Sequence, residues 1–573
     1  MNIFKHYLYL IKESILSEKN ILKLESTNEF RGITLESPPS EFDFDLSCNV
    51  SLILAKKNNQ IPKELAKNIK KILLNKVEDF IEIEIAGPGF LNIKLSKYAL
   101  KKIIENIFEN KKKYGSNPKN ESYNIEFVSA NPTGPMHVGH CRGAIYGDVL
   151  ANLLIFNGNE VTKEYYINDY GNQINNFAKS VYLRIREILF NEVFVIKKDL
   201  YPGEYIIDIA KNILKNSNNK FETYDKNKEF LINESLKYSM NMIKADLKKL
   251  GIEHNNFFSE MELVKKDLVQ KTINKLKKGN YVVEGFLKPP KGEEQKNWKQ
   301  TKRLIFKSTS YGDDTDRALQ KNDGSWTYFA NDVAYHMDKV SRNYNHLINI
   351  LGADHTGYIK RITAAVSAIS NNKIKLICRV CQLVKLYKDG KPFKMSKRSG
   401  DFISANDLLN EVDKDSIRFM MLNRSNDVEL DFDFNKVLEK NKDNPVFYVQ
   451  YCFARINSLM NLTKRDFDEQ IHFNIDKVDL NVYEKKILRK IFDWPKILDT
   501  ASNKFEPHRI PYYLYDLATL FHSYWSKGNE NEKYKFISDN KIKNENTLLV
   551  IKLVSIVIEN GMKILGVSTP KKM

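Results

Sequence analysis

Residues 127–140 read Phe-Val-Ser-Ala-Asn-Pro-Thr-Gly-Pro-Met-His-Val-Gly-His and stand between a short apolar strand pattern and an amphipathic helix pattern. A strand, a tight loop and a helix in that order are how a doubly wound sheet presents a nucleotide site. Pro135 fixes the direction of entry into the helix, and Gly139, lacking a Cβ, lets a flat base approach the backbone. His137 and His140 bracket that glycine where the helix begins, so imidazole N–H groups and free backbone N–H groups can face a triphosphate together. Taken alone, the same residues could be two ordinary surface histidines. A second string about 250 residues later, Lys394-Met-Ser-Lys-Arg-Ser-Gly400, suits the same chemistry. Two ammonium groups on a Gly- and Ser-flanked loop can neutralise a leaving pyrophosphate, although a basic run is also commonly just a solvated loop.

The pattern around these motifs is that of an α/β chain. Tyr123–Val128 and Glu160–Asp169 read as strands, and Cys141–Phe156 reads as a helix with Ile145, Val149, Leu153 and Phe156 on one face, stopped by Asn157-Gly158. His346–Leu351 reads as a later strand leading into Gly352-Ala-Asp-His355. The expected fold is a Rossmann-like doubly wound core with an insertion, preceded by a small α/β domain and followed by an all-α domain. We place the boundaries at 1–97, 98–414 with the insertion at about 200–300, and 415–573. The insertion is Lys/Asn-rich and weakly patterned, with helices around Glu229–Leu250 and Leu263–Lys278.

With 573 residues the chain can bury several cores. A net charge of +18 suits a polyanionic partner. Only 16 of the 90 basic residues are Arg, however, so the excess also looks like a compositional bias toward Lys. No apolar run approaches a membrane span, and the N-terminus lacks the apolar core of a secretory signal. A cytoplasmic protein without a membrane partner is expected. Five cysteines (48, 141, 378, 381 and 452) offer no disulfide framework. The single Cys378-Arg-Val-Cys381 lies in a strand pattern, where positions three apart face opposite ways, so no metal site is expected there.

His137-Val-Gly-His140 and Lys394-Met-Ser-Lys397 resemble the two signatures of class I aminoacyl-tRNA synthetases. The longer strings Glu126–His140, Tyr166-Ile-Asn-Asp-Tyr-Gly-Asn-Gln173, Tyr328-Phe-Ala-Asn-Asp332, Val449-Gln-Tyr-Cys-Phe-Ala-Arg-Ile456 and Leu565–Met573 resemble the arginyl-tRNA synthetases of bacterial type over nearly the whole chain. The resemblance implies an N-terminal domain that touches the tRNA elbow, a catalytic core and a helical anticodon-binding domain. It implies arginine activation by ATP, with Mg²⁺ accompanying the nucleotide, then transfer to the terminal adenosine of tRNA(Arg), by a monomer.

The resemblance also implies residue roles. His137, His140, Lys394 and Lys397 would be catalytic. Those four with Gly139, Met395, Ser396, Asp354 and His355 would bind ATP, and Glu126, Asn131, Tyr328 and Asp332 would hold arginine. A guanidinium is best met by carboxylates, and Tyr328 and Asp332, four apart, share a face if that turn is helical. Asp332 could instead be a plain helix N-cap. Phe447, Tyr448, Tyr451 and Phe453 could stack anticodon bases, though aromatics at helical spacing are more often core. Two departures stand out. Arg398 follows Lys397 where the family has Ser, and Asp43-Phe44-Asp45 stands where the family more often has a His-Gly-Asp-like run. Other class I synthetases, a nucleotidylyltransferase and a catalytically dead RNA-binding paralogue are competing readings. Zinc ligands expected of a cysteine enzyme are missing, and the paired lysines and long helical C-terminal region argue against a nucleotidylyltransferase. The intact His137, His140, Lys394, Lys397 and Asp332 argue against a dead paralogue.

Overall fold

The computed structural model describes residues 2–18, 30–39, 41–195, 197–218, 220–287, 301–393, 403–462, 480–538, 541–542 and 545–573. Its contacts divide the chain into two units, residues 118–439 and residues 1–117 with 440–573.

The first unit is built on five strands, β1 (Ser122–Glu126), β2 (Glu160–Ile167), β3 (Asn256–Ser259), β4 (His346–Gly352) and β5 (Lys375–Cys381). Their order across the sheet is β5-β4-β1-β2-β3 and every pairing is parallel. This is the doubly wound order, in which the crevice for a ligand opens at the carboxyl ends of the two strands where the winding reverses, here β1 and β4. The expected α/β class holds. The weakly patterned insertion does more than expected, because it supplies β3 at the sheet edge. That strand is only four residues long, too short to show a period beside its lysine-rich neighbours.

Helix α1 (Val138–Phe156) begins three residues before the expected start, so His137 is its N-cap and His140 lies in its first turn. It is apolar nearly all round because it is buried nearly all round. Gly147 lies against Phe127, and a Cβ there would come within 2.4 Å of the ring. Two buried charges on α1 tie in distant chain. Arg142 donates to the carbonyls of Gln382, Ser425 and Val428, and Asp148 accepts from Lys163 at 2.6 Å and Arg418 at 2.5 Å. A fully buried Arg418 cannot leave its carboxylate without a large desolvation cost. Residues 415–439 therefore stay with the core, rather than starting the last domain at 415. Helices α2 (Tyr328–Ser341) and α3 (Ile359–Ile369) share an apolar core with Leu347 of β4, Leu376 of β5 and Leu276 of the insertion.

In the second unit a four-stranded antiparallel sheet (residues 35–36, 46–48, 90–95 and 80–86 in that order) carries helices Ile3–Leu16, Val50–Asn58 and Pro62–Lys76. The later helices are Pro445–Leu462, Val482–Lys504, Arg509–Glu530 and Glu545–Leu565. Helix Lys97–Asn110, which a boundary at residue 98 would assign to the core, belongs here. Trp494, fully buried, donates to the carbonyl of Tyr114 at 3.1 Å, and Tyr114 donates to the carbonyl of Ile491 at 3.2 Å. The unusual Asp43-Phe44-Asp45 run has a structural use. Arg489 reaches Asp43 at 2.8 Å and Asp45 at 3.2 Å, with Lys485 and Lys94 also on Asp43. Partial burial opposes the Asp43 charge, but those three cations outweigh it and hold the carboxyl down at about 2. Of the four aromatics considered for base stacking, Phe453 is core, whereas Phe447 and Tyr451 are half-buried and stack on each other at 5.6 Å. Among the described residues no helix is long and apolar enough to cross a membrane.

The Gly147–Phe127 contact gives a prediction whose sign is informative. In an exposed helix Gly→Ala gains about 1 kcal/mol, whereas overpacking a core costs about 1–3 kcal/mol. With the added carbon so close to Phe127, Gly147→Ala should lower the thermal midpoint in a calorimetric scan. An unchanged or raised midpoint would show that the contact does not constrain the strand and helix.

Candidate active site

A cleft of about 770 Å³ opens at the carboxyl ends of β1 and β4. Glu126 at the end of β1, Gly352 at the end of β4, the start of α1 and the start of α2 all line it. Between β1 and the histidines the backbone turns sharply, with Val128 at φ 72° and Ser129 at φ 41°. A β-branched residue there stores about 1–3 kcal/mol of strain. Part of the compensation is visible, since Ser129 donates to Glu126 at 3.2 Å and accepts the Tyr166 N–H at 3.1 Å.

The imidazoles of His137 and His140 stack with centroids 3.6 Å apart, both lining the cleft. The His137 backbone N–H donates to His140 Nδ1 at 3.2 Å, which leaves the His140 proton on Nε2. Burial drives the pKa of His137 down, and burial with the neighbouring His137 brings His140 down to about 3. Both rings are therefore neutral at pH 7. Gly139 is exposed in the cleft, and a Cβ on it would lie 2.9 Å from the His137 ring. The glycine thus makes room for the imidazole.

Lys394, Met395, Ser396 and Lys397 lie outside the described residues. Where the chain resumes, Val138 N–H donates to Ile403 C=O at 3.0 Å and Ala405 N–H to Met136 C=O at 2.8 Å. The segment following the lysine string is thereby paired with the segment carrying the histidines. Ser404 and Asp407 cap the next helix reciprocally.

The other cleft wall is acidic and aromatic. Thr327, not Asp332, is the N-cap of α2, so the capping explanation for Asp332 fails. Tyr328 and Asp332 both line the cleft from one helix face. Tyr328 is 70% exposed, while Asp332 is half-buried and accepts from the Tyr358 hydroxyl. Burial and the fields of Glu260 and Glu126 raise the Asp332 carboxyl to about 7, against the opposing effects of Tyr358 and Arg361. Asn131 is exposed at the rim and accepts from Asn168 at 3.2 Å. Asp354 and His355 lie on a 3₁₀ turn after β4, exposed, 3.4 Å apart and in the cleft lining.

Several site residues escaped the sequence reading. Glu260, only 3% exposed, lines the cleft and accepts from Asn331 at 2.9 Å, with burial raising its pKa. Tyr335 and Tyr358 also line it. Beneath them Glu164, fully buried, accepts from Arg342 at 2.5 and 2.9 Å and from Tyr335 at 2.7 Å. Burial opposes the Glu164 charge, but Arg342, Lys339 and Tyr335 together hold it down at about 2. One available signal was the spacing Tyr328, Asp332, Tyr335, Lys339, Arg342, a polar stripe on a helix whose other side is apolar.

Comparison with known proteins places the chain. The family description "tRNA synthetases class I (R), catalytic domain" matches residues 103–459, "Arginyl tRNA synthetase N terminal domain" matches 10–95, and "DALR anticodon binding domain" matches 449–573. The chain is 53% identical to the arginine–tRNA ligase of Pelagibacter ubique and 42% identical to that of Rickettsia bellii, each over 100% of both chains. A solved arginyl-tRNA synthetase structure from Campylobacter jejuni superposes with a TM-score of 0.73 at 32% identity, covering 84% of this chain and all of that one. The Thermus thermophilus arginyl-tRNA synthetase shares the fold, with a TM-score of 0.70 at 18% identity over 98% of this chain and 99% of that one. The chain belongs to the arginyl-tRNA synthetases, class I enzymes that join arginine to tRNA.

Proposed function

We propose that the cleft at the ends of β1 and β4 carries both half-reactions of arginine–tRNA ligation, with arginine against α2 and ATP against the start of α1. The observation that carries this reading is Asp332, a carboxylate on the cleft wall with no ion-pair partner among the described residues. Its raised pKa marks a place where a cation is wanted. A guanidinium held there, with Tyr328 over it and Glu260 nearby, would stay charged and give bidentate geometry that an ammonium cannot match. Glu126 and Asn131 would receive the α-amino and carboxylate end.

In the first step an arginine carboxylate oxygen attacks the α-phosphorus of ATP. The bond from that phosphorus to the bridging oxygen breaks, and pyrophosphate leaves with the electron pair. In the second step a ribose hydroxyl of the tRNA terminal adenosine attacks the carbonyl carbon and AMP departs. Both steps need alignment and charge stabilisation more than a strong base. His137 and His140, neutral and pre-oriented, would donate to the phosphate oxygens as charge builds, beside the N-terminus of α1. Lys394 and Lys397 would neutralise the pyrophosphate, with Met395, Ser396, Gly139, Asp354 and His355 completing the ATP contacts. Mg²⁺ would be carried by the nucleotide's own phosphates and water; among the described residues no group of three or more His, Cys, Asp or Glu is arranged to hold a metal. The protein would act as a monomer in the cytoplasm, reading tRNA(Arg) through its last domain and touching the tRNA elbow with its first.

Charging of a tRNA(Arg) transcript with each of the twenty amino acids tests the assignment. Arginine alone should be attached, and Asp332→Ala should lose at least about 100-fold in kcat/KM for arginine while keeping the wild-type melting temperature. Attachment of a different amino acid, or wild-type charging by Asp332→Ala, would remove Asp332 from the seat.

The Asp332 pKa also sets a pH dependence. In the empty cleft the carboxyl is about half protonated at neutral pH. A bound guanidinium favours the carboxylate, so binding releases protons. Affinity should fall as pH drops below about 7 and level off above it. Calorimetric titration of arginine in two buffers of different ionisation enthalpy should reveal that release, and Asp332→Asn should abolish it. Equal heats for the wild type in both buffers would count against the seat.

A further inference from the structure

Four carboxylates line the cleft, but they are not equivalent: Asp354 is exposed on the turn after β4 beside His355, and the other three are Glu126, Glu260 and Asp332. Asp332 accepts from Tyr358, and Glu260 accepts from Asn331. Neither pairs with a Lys or Arg among the described residues. Glu126 does. Lys339, fully buried three turns into α2, places its ammonium 2.5 Å from Glu126 Oε2. The Tyr335 hydroxyl, which donates to Glu164 at 2.7 Å, lies 3.1 Å from the same oxygen.

Lys339 is itself held in one orientation. Its ammonium donates to Asn349 Oδ1 at 3.1 Å and lies 4.6 Å from the centre of the Tyr335 ring. The Asn349 amide contacts His336 Nε2 at 3.0 Å, and His336 Nδ1 contacts the carbonyl of Asp332 at 2.8 Å. Because that carbonyl can only accept, Nδ1 carries the ring proton and Nε2 accepts from Asn349. Lys339 therefore donates both ways, to Glu126 on one side and on the other to Asn349, which donates to His336, which donates to the backbone carbonyl of Asp332. All the intermediate side chains are buried.

We propose that Lys339 is a positioning residue for arginine selection, fixing Glu126 and cancelling its charge so that Asp332 and Glu260, which make no ion pair among the described residues, are the anions presented on the α2 side of the cleft. This rests on the reading of the cleft as the arginine seat. A cancelled Glu126 keeps its acceptor oxygens for hydrogen bonding to the substrate's amino end without adding a further full negative charge. Without Lys339, Glu126 would be a carboxylate on the cleft floor without an ion-pair partner, free to turn away. Without Glu126, Lys339 would be an unpaired cation beneath a site built for a cation.

The test is a double-mutant cycle on the full-length enzyme, read by tRNA charging with arginine and ATP varied separately. Lys339→Met should raise KM for arginine by about tenfold or more, with kcat and KM for ATP changed by less than about threefold. Glu126→Gln should raise KM for arginine further. The double variant should recover at least about tenfold over Glu126→Gln alone, since it leaves neither charge unpaired. The same substitution at Lys339 thus harms arginine binding in one background and improves it in the other, which a purely structural lysine would not do. Equal loss from Lys339→Met in both backgrounds overturns the proposal. If Lys339→Met does not fold but the double variant does, the same coupling is read in stability and supports it; if the double variant also fails to fold, the proposal is overturned. An unchanged arginine KM in Glu126→Gln would instead show that Glu126 is not part of the seat, which overturns the proposal by way of its premise.

Discussion

All five core strands run the same way, and everything at the site depends on that constraint. In a parallel sheet each strand must return by a crossover, and crossovers are right-handed. With β1 and β4 adjacent at the centre, their outgoing connections depart to opposite faces and leave a gap at their carboxyl ends. Into that gap come the end of β1 with Glu126, the start of α1 with its histidines, the turn after β4 with Asp354, and the start of α2 with Asp332. The motifs lie far apart in sequence because the topology, not the local chain, brings them together. The strained turn at Val128 and Ser129 and the Cβ-free approach at Gly147 follow from the same crowding at the end of β1.

Within that gap charge is distributed unevenly, and the unevenness carries the chemistry. On the α1 side the imidazoles are neutral, so in the proposed role they would follow a phosphate's developing charge without binding the ground state as a cation would. On the α2 side the acidic groups divide into those already matched and those left waiting. Glu164 is matched by Arg342 and Glu126 by Lys339. Asp332 and Glu260 accept hydrogen bonds from neutral donors and make no ion pair among the described residues, and both have raised pKa values despite the field of Arg361 on Asp332. Removing a carboxylate from water without a cation is expensive. On the proposed reading, a site that tolerates this cost when empty recovers it when a guanidinium binds.

Much of this was legible in the sequence, and the reasons are local. The histidine string, the strand before it and the helix after it are contiguous, so hydrophobic period and turn residues suffice to read them. Asp332 was found through its own string and its spacing from Tyr328. Glu164, Arg342 and Lys339 were not, because a buried ion pair leaves no mark in either local segment; Glu164 and Arg342 meet across 178 positions. Glu260 was hidden in a lysine-rich stretch that reads as an insertion but in fact delivers β3 and a cleft carboxylate. The domain limits drawn at 97 and 414 differ from the contact limits at 117 and 439 for the same reason. Tyr114 with Trp494, and Arg418 with Asp148, are single side-chain anchors that a pattern search cannot see.

The most direct measurement of the central claim is an experimental structure with a non-hydrolysable arginyl-adenylate analogue bound. The guanidinium should lie against the Asp332 carboxylate at charge-assisted distances of about 2.7–2.9 Å, with the phosphate analogue beside His137, His140 and the start of α1. A guanidinium directed away from Asp332, or a phosphate group away from the two histidines, would contradict the assignment.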